Sequence, residues 1–158
     1  MKTREKISFG LYMINALLLI IFGLRYLFCE TIMPYHQEAI GVPWVALEPG
    51  LQILLNGLIK VAAAYFLVPG IAIVILLAIP FRKGELWAKW SIPGLSIFWL
   101  CFGLYVPINI ALKTHASTPW QPSVVGLAIT VAAFLFSDIF YKNKRSLTTD
   151  KLADQVPS

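Results

Sequence analysis

Four long apolar segments occupy most of the chain, and three of them have the length of a helix that crosses a membrane. Such a helix needs about 20 predominantly apolar residues to cross roughly 30 Å of hydrocarbon at about 1.5 Å per residue. The segments from Ile7 to Cys29, from Ile92 to Leu112 and from Ser123 to Tyr141 meet this requirement. We therefore expect an all-α fold built from membrane-spanning helices.

The composition supports a protein embedded in lipid. Of its 158 residues, 58% are hydrophobic and only 13% are charged, against roughly 25% charged residues in a typical soluble domain. Mean hydropathy is +0.74, and the length suits one domain. The net charge of +5 would suit a nucleic-acid partner if the protein were soluble. The basic residues flank apolar segments, however, so membrane lipids are expected as partners and nucleic acid is not.

The remaining apolar segment, from Leu51 to Phe81, is the second along the chain and is too long for a simple span. Its 31 residues would form a helix of about 46 Å, well beyond the hydrocarbon core. Pro69 and Gly70 divide it into two pieces, of which the second is too short to cross. We interpret the segment as one long helix, kinked at Pro69. A re-entrant pair of helices is the alternative.

The distribution of basic residues predicts the orientation of the spans. Cytoplasmic loops of membrane proteins are enriched in Lys and Arg, and four spans would bring every basic cluster of this chain to one side. The first loop, residues 30–50, carries three glutamates and no Lys or Arg. Both termini are therefore predicted to be cytoplasmic. The basic clusters are Lys2, Arg4 and Lys6; Arg82, Lys83 and Lys89; and Lys142, Lys144, Arg145 and Lys151.

Residues 1–141 are predicted to form one four-helix transmembrane domain, with spans at about 7–29, 51–81, 92–112 and 123–141. Residues 142–158 are polar and are predicted to form a short cytoplasmic tail. The basic residues before Ile7 would also suit a cleaved signal peptide. The apolar stretch that follows them is longer than the usual core of about 7–15 residues, so we expect it to be retained as a helix.

Lys60 is the one charged residue of the long second segment, and its depth can be counted in two ways. Counting from Leu51 places it about 13 Å deep, near the midplane, where a cation costs at least ~2.5–3.5 kcal/mol. Counting back about 20 residues from Pro80, beside the basic loop, places Lys60 at the interface, where a lysine can snorkel. We favour the second count. It leaves residues 51–59 outside the membrane and, with the apolar first loop, predicts an extracytoplasmic cap over about residues 30–60.

Eight polar side chains converge at one depth in that register and form the predicted ligand site. Gln52, Asn56 and Lys60 recur every four residues and share one stripe of the second helix. Together the eight would suit an outward-facing polar pocket for a lipid, a quinone-like molecule or another amphiphile. Anchoring at the level of the lipid head groups is the alternative. The other five are Arg25 on the first span, His36 and Glu38 on the cap, and Tyr105 and Asn109 on the third span.

The sequence predicts little further chemistry. We expect no metal or cofactor, because His36 and Glu38 match no established metal-ligand spacing and the spans contain no histidine that could hold haem. Asn15 is predicted to hydrogen-bond between helices. Glu85 and Lys89 would pair if a short interfacial helix forms. Close helix contacts are predicted at Gly10, Gly23, Gly94, Gly103 and residues 62–64.

Two short strings resemble a pattern found in small bacterial inner-membrane proteins with four spans and no assigned function. They are MPYH at residues 33–36 and IPFRKGELWAKW at residues 79–90, with Trp44, Pro49 and Gln52 between them. The resemblance covers about residues 25–95 and implies a four-span protein of the bacterial inner membrane. The chain is also loosely similar in architecture to DoxX-like four-helix bundles, which implies no residue roles.

Three functions are compatible with these features. The first is a non-enzymatic membrane protein that binds a lipid or other amphiphile in the outward pocket, or an accessory membrane subunit. The second is a small oligomeric transporter, since four spans leave little room for a private pathway. The third is an enzyme that modifies lipids of the outer leaflet, with His36 and Glu38 as acid and base. We expect the first, with a second copy or a membrane complex as a further partner.

Overall fold

The computed structural model describes residues 2–137, and all regular secondary structure in that range is helical. The long helix that begins at Pro49 ends in a π-helical turn, Leu77–Phe81. A short 3-10 turn, Trp44–Ala46, comes before this helix. The α-helices are α1 (Thr3–Phe28), α2 (Pro34–Ile40), α3 (Pro49–Leu76), α4 (Leu86–Thr114) and α5 (Gln121–Phe136).

Three of these helices have the length and composition of membrane spans. They are α1 with 26 residues, the continuous helix 49–81 with 33, and α4 with 29. Helix α5 is apolar but shorter, with 16 described residues. The predicted fourth span ran to residue 141, so its last residues, 138–141, and the predicted tail, 142–158, lie outside the described residues. The helical architecture agrees with the all-α fold and the membrane class expected from the sequence.

The long second segment is one helix, with no re-entrant loop between Pro49 and Phe81. Pro69 lies inside it. Pro80 has no N–H and cannot donate to the carbonyl four residues earlier, and the helix widens here into the π-helical turn. The chain then reverses at Gly84, whose φ of +79° lies in the region that favours glycine.

Helix α1 is the centre of the arrangement, because it packs against both α3 and α5, while α5 also packs against α4. Helices α3 and α4 contact each other much less. The start of α1, the π-helical turn, the start of α4 and the last turn of α5 lie together at one end of the bundle. We call this the basic end, because Arg82 and Lys83 lie there, and we call the opposite end, where residues 29–48 connect α1 to α3, the loop end.

The basic end is closed by a dense apolar core. Helix α1, the continuous helix 49–81, α4 and α5 contribute to it, and its large members are almost completely buried. Between helices in lipid, such a core is stabilised by close van der Waals packing. Phe81 packs edge-on against the ring of Tyr12, with ring centroids 6.3 Å apart. The core consists of Tyr12, Ala16, Ile73, Leu77, Phe81, Ile92 and Ala133.

An ion pair joins α1 to α4 at this end. The Lys89 ammonium contacts the Glu5 carboxylate, and the two side chains are only 5% and 16% exposed. The pairing of Lys89 with Glu85 expected from the sequence is wrong. Lys89 lies on the buried face of α4 that points to α1, whereas Glu85 precedes the helix and is exposed.

Small residues let α1 and α3 approach closely along their length. A Cβ atom added at Gly23 would lie 2.6 Å from Leu67 Cγ, and one added at Gly70 would lie 2.8 Å from Ile20 Cγ1. The close contact predicted at Gly23 is therefore confirmed, and so is the one at Gly103, whose added Cβ would lie 3.1 Å from Ser123 Oγ.

Not every glycine predicted to allow close contact does so. A Cβ atom added at Gly10 or Gly94 would meet nothing within 4 Å. A glycine in a span allows a neighbouring helix to approach closely. Whether a helix lies beside that glycine depends on how the surrounding side chains pack.

A buried polar cluster joins α1 to α5. The Asn15 amide donates to the Gly126 carbonyl at 2.9 Å and to Thr130 Oγ1 at 2.8 Å. Thr130 in turn donates to the Gly126 carbonyl at 2.9 Å. Since polar side chains in an apolar bundle need partners, this cluster fixes the register of the two helices. The predicted role of Asn15 between helices is confirmed.

Candidate functional site

The predicted polar stripe on α3 attaches the first loop to the bundle. Lys60 Nζ donates to the carbonyl oxygens of Leu27 at 2.6 Å and Cys29 at 2.5 Å. These carbonyls belong to the C-terminal end of α1, which has no intrahelical donors for them and carries partial negative charge. Lys60 therefore lies level with the end of α1 and caps it with a cation.

The other two members of the stripe act in the same way on the loop backbone. The Asn56 amide donates to the carbonyl of Glu30 at 3.2 Å. The Gln52 amide donates to the carbonyls of Trp44 at 2.9 Å and Leu47 at 3.1 Å. All three predicted side chains thus bind main-chain oxygens of residues 27–47. A small apolar cluster of Ile32, Leu47 and Ile59 fills the space beside them.

Helix α2 extends from this attachment across to α4. It begins with Pro34, whose fixed φ suits the first turn, and it ends at Gly41 with φ +75°. Glu38 Oε2 accepts a hydrogen bond of 2.8 Å from the backbone N–H of Ser117, in the segment that follows α4. The helix is therefore held at both sides of the gap between α3 and α4.

A half-open cavity of about 720 Å³ lies in that gap at the loop end, and exposed lining residues such as Val61 and Val106 mark the side on which it is open. Helices α3 and α4 provide its walls, α1 provides its back, and α2 covers it with Tyr35, His36, Ala39 and Ile40. The volume falls within the range of about 300–1,000 Å³ that is typical of small-molecule sites. Its lining is almost entirely apolar and includes Phe22, Leu55, Ala62, Phe66, Val106 and Ile110.

A second cavity of about 400 Å³ adjoins the first on the side toward the basic end. Both are bordered by Phe22, Phe66 and Gly103. The second is mostly apolar, with polar groups from Asn15, Gln121 and Ser123. Together the two cavities form an elongated apolar space between the helices.

The polar groups of the larger cavity concentrate under α2. The hydroxyl groups of Tyr26 and Tyr35 are 2.6 Å apart and share a hydrogen bond. His36 Nδ1 accepts a hydrogen bond of 3.3 Å from the backbone N–H of Met33. Burial and the bond to Tyr26 raise the pKa of Tyr35, and burial lowers the pKa of His36. Both side chains are consequently neutral at physiological pH.

The eight residues predicted to bind a ligand do not gather around this cavity. Of the eight, only His36 borders it. Arg25 is exposed on α1, and Tyr105 is 62% exposed on α4, where it accepts a hydrogen bond of 3.2 Å from Asn109. The stripe and Glu38 bind backbone groups, as described above. The structure therefore separates the residues that hold the first loop from those that line the cavity.

The aromatic lining was missed by sequence reasoning because an apolar residue in a span gives the same hydropathy signal whether it faces lipid, a neighbouring helix or a cavity. Tyr26 and Tyr35 carried a usable signal, since a tyrosine next to an apolar segment needs a partner for its hydroxyl group. The adjacent pair Tyr65 and Phe66 on α3 gave a weaker signal of the same kind.

His36 and Glu38 do not face a common point. His36 accepts from Met33 within its own turn, while Glu38 accepts from Ser117 on another element. Within residues 2–137, no three side chains of His, Cys, Asp or Glu are grouped to hold a metal ion.

Comparison with known proteins adds no relative to this description, since no protein-family model, curated protein sequence or solved structure matches the chain.

Proposed function

We propose that the protein binds the apolar part of an amphiphilic molecule in the cavity between α3 and α4. The observation that carries this proposal is a space of about 720 Å³, lined mostly by apolar side chains and covered by α2. Tyr35 of this helix is hydrogen-bonded to Tyr26 on α1, and Glu38 is hydrogen-bonded to Ser117 after α4. An alkyl or prenyl chain that enters from the membrane exchanges lipid contacts for protein contacts, so van der Waals contact with the apolar lining would favour its binding. The second cavity extends the space available to such a chain.

The proposed orientation places the loop end on the extracytoplasmic side and the basic end in the cytoplasm. Exposed Arg82 and Lys83, with the basic residues at the start of α1, support this orientation, because such residues favour the cytoplasmic surface. Residues 29–48 then form an extracytoplasmic cap, the fourth span completes a bundle with both termini inside, and the membrane is a bacterial inner membrane. Lys60, level with the end of α1, lies at the outer interface in this arrangement.

The amphiphilic character of the ligand follows from how polarity is distributed in the cavity. Under α2 the lining includes the hydroxyl groups of Tyr26 and Tyr35 and the imidazole of His36. Deeper in, around Phe22, Phe66 and Leu100, it is mostly apolar, with Ser123 beside Gly103 among the few polar side chains. A molecule with a polar head and an apolar tail fits this gradient, with its head beneath the cap and its tail between the helices.

Filling the cavity tests the proposal. Ala62 lines it, whereas Ala64, two residues further along α3, is exposed and does not. We expect Ala62→Trp to lower the affinity for a dansyl-labelled alkylamide at least tenfold, measured by the rise in dansyl fluorescence on burial. The matched variant Ala64→Trp is expected to bind as the unmodified protein does. Equal binding by both variants, or no binding by the unmodified protein, would contradict the proposal.

A further inference from the structure

We infer that the head-group end of this cavity selects neutral amphiphiles whose head accepts hydrogen bonds, such as an ester or quinone carbonyl. The inference rests on the proposed function and adds the chemical class of the ligand. It is carried by three side chains under α2, namely Tyr26, Tyr35 and His36, which together offer donors without charge.

The two tyrosines provide one of these donors. Their hydroxyl oxygens are 2.6 Å apart, so one hydroxyl donates to the other. Each neutral phenol has a single O–H, and the pair therefore retains one O–H that is not used between them. Both side chains are partly buried and border the cavity. Leaving that O–H without an acceptor once a ligand has excluded water would cost about 1–3 kcal/mol.

His36 provides the second donor. Its Nδ1 accepts the N–H of Met33, so the neutral imidazole carries its proton on Nε2. Within residues 2–137, no group accepts a hydrogen bond from this Nε2. A carbonyl oxygen has two lone pairs and can accept both donors at once.

The absence of charge in the lining disfavours ionic head groups. Every residue that borders the larger cavity in the described part of the chain is neutral, with no Asp, Glu, Lys or Arg among them. The two nearest cations of the predicted site are not available, since Lys60 binds the end of α1 and Arg25 is exposed outside the cavity. A phosphate or ammonium head would have to lose water without gaining an opposite charge, which is costly.

A set of competitors that differ only in the head group tests this inference. The competitors share one alkyl tail and carry a benzoquinone, a methyl ester, a phosphate or a trimethylammonium head. Each is titrated against the bound dansyl alkylamide in detergent-solubilised full-length protein. We expect the quinone and the ester to displace the probe at about tenfold lower concentration than either ionic competitor. The trimethylammonium head accepts no hydrogen bond, and the phosphate head, which does accept them, has to lose its water without gaining an opposite charge.

The possible outcomes separate this inference from the proposed function. If all four competitors displace the probe equally, or an ionic one does so best, the cavity binds amphiphiles but the inferred head group is wrong. If the dansyl probe itself does not bind, the proposed function has failed before the head group matters.

Substitutions of the two tyrosines test whether their hydroxyl groups cause the preference for a neutral head group. A single Tyr35→Phe substitution leaves the Tyr26 hydroxyl free to donate, so we expect a small change. The double variant Tyr26→Phe with Tyr35→Phe removes both hydroxyl groups. A fifth competitor, an alkane with the same tail and no head group, is the reference. The double variant should lower the preference for the quinone over this alkane about three- to tenfold, while binding of the alkane stays the same.

Two further variants make the result decisive. Tyr105→Phe changes an exposed tyrosine outside the cavity and should leave the preference intact. If the double variant does not fold, His36→Phe removes the other donor and should lower the preference by a similar factor. Retention of the full preference in a folded double variant would overturn the assignment.

Discussion

The two ends of the bundle use the same helices in opposite ways. At the basic end, α1, α3, α4 and α5 converge on a core in which Tyr12, Leu77 and Ile92 are completely buried. At the loop end, α3 and α4 stand apart and leave a half-open cavity beneath α2. The difference shows that a short apolar bundle can combine a densely packed half with a half whose helices leave an open space.

The transition between the two ends occurs where α3 and α4 touch through aromatic side chains. The rings of Tyr65 and Trp99 are in contact and tilted by 32°, and the Tyr65 hydroxyl donates to the Trp99 carbonyl at 3.1 Å. On the loop side of this contact, Tyr65 lines the larger cavity. Two large rings placed between helices hold the axes apart, whereas small residues such as Gly23 and Gly70 draw α1 and α3 together.

The largest expected effect concerns the ion pair of the basic end. Glu5→Gln would leave the Lys89 ammonium buried without its carboxylate, and the free energy of unfolding should fall by about 3 kcal/mol. The measurement is unfolding by sodium dodecyl sulfate, followed by circular dichroism. Glu85→Gln, at an exposed position, is the matched control and should change little. Replacing both Glu5 and Lys89 by Leu should recover most of the loss. An equal effect of the two single substitutions would mean that the pair is not buried.

A somewhat smaller effect is expected at the loop end from Lys60→Met. The carbonyls of Leu27 and Cys29 would lose their charged donor, and hydrogen bonds to charged groups are worth about 1.5–3 kcal/mol. We expect faster hydrogen exchange in residues 29–48, with exchange at the basic end unchanged. Lys113→Met, in the exposed last turn of α4, serves as the control. Uniformly faster exchange in both ends would show that the two ends are not independent.

The contact of α1 with α3 is common to both ends and can be tested with a pair of glycines on α3. Gly70→Ala would force its new methyl group against Ile20 and should destabilise the protein by about 1–3 kcal/mol. Gly57→Ala meets nothing within 4 Å and should stabilise it by up to about 1 kcal/mol. Opposite signs in the same unfolding experiment are the expected result. Stabilisation by both substitutions would refute the close approach.

The smallest expected effect is a pH dependence confined to the loop end. Burial holds the pKa of His36 below its ordinary value of 6.5, so the unfolded chain binds a proton at a pH where the folded chain does not. Stability should therefore fall as the pH drops through about 6.5 toward 5, and it should be fully present above that range. Hydrogen exchange of residues 29–48 at several pH values measures this. The dependence should be reduced in His36→Gln, and if it is unchanged there, another group causes it.

The sequence predicted the helical fold because spans are set by a simple physical requirement, about 20 apolar residues in succession. It also predicted that Asn15 binds between helices, since a lone amide in an apolar helix must find a partner. Gln52, Asn56 and Lys60 were correctly placed on one stripe of one helix, which follows from the helical period alone.

The partners of the stripe could not be predicted in the same way. They are main-chain carbonyls of the first loop, and their positions depend on how that loop folds rather than on its composition. The cavity was hidden for a related reason. It results from a separation between α3 and α4, two helices that each look like an ordinary span, and hydropathy does not report the distance between helices.

The attachment of the first loop through the stripe bears on how this protein could diversify or be redesigned. Every acceptor for Gln52, Asn56 and Lys60 is a backbone oxygen, which is present whatever side chain the acceptor residue carries. Side chains of the loop can therefore be exchanged without removing the bonds that hold it over the bundle. Residues of α2 that border the cavity can therefore vary while the backbone hydrogen bonds keep the loop in place. Libraries randomised at these positions would yield variants that bind new ligands while the rest of the chain stays unchanged.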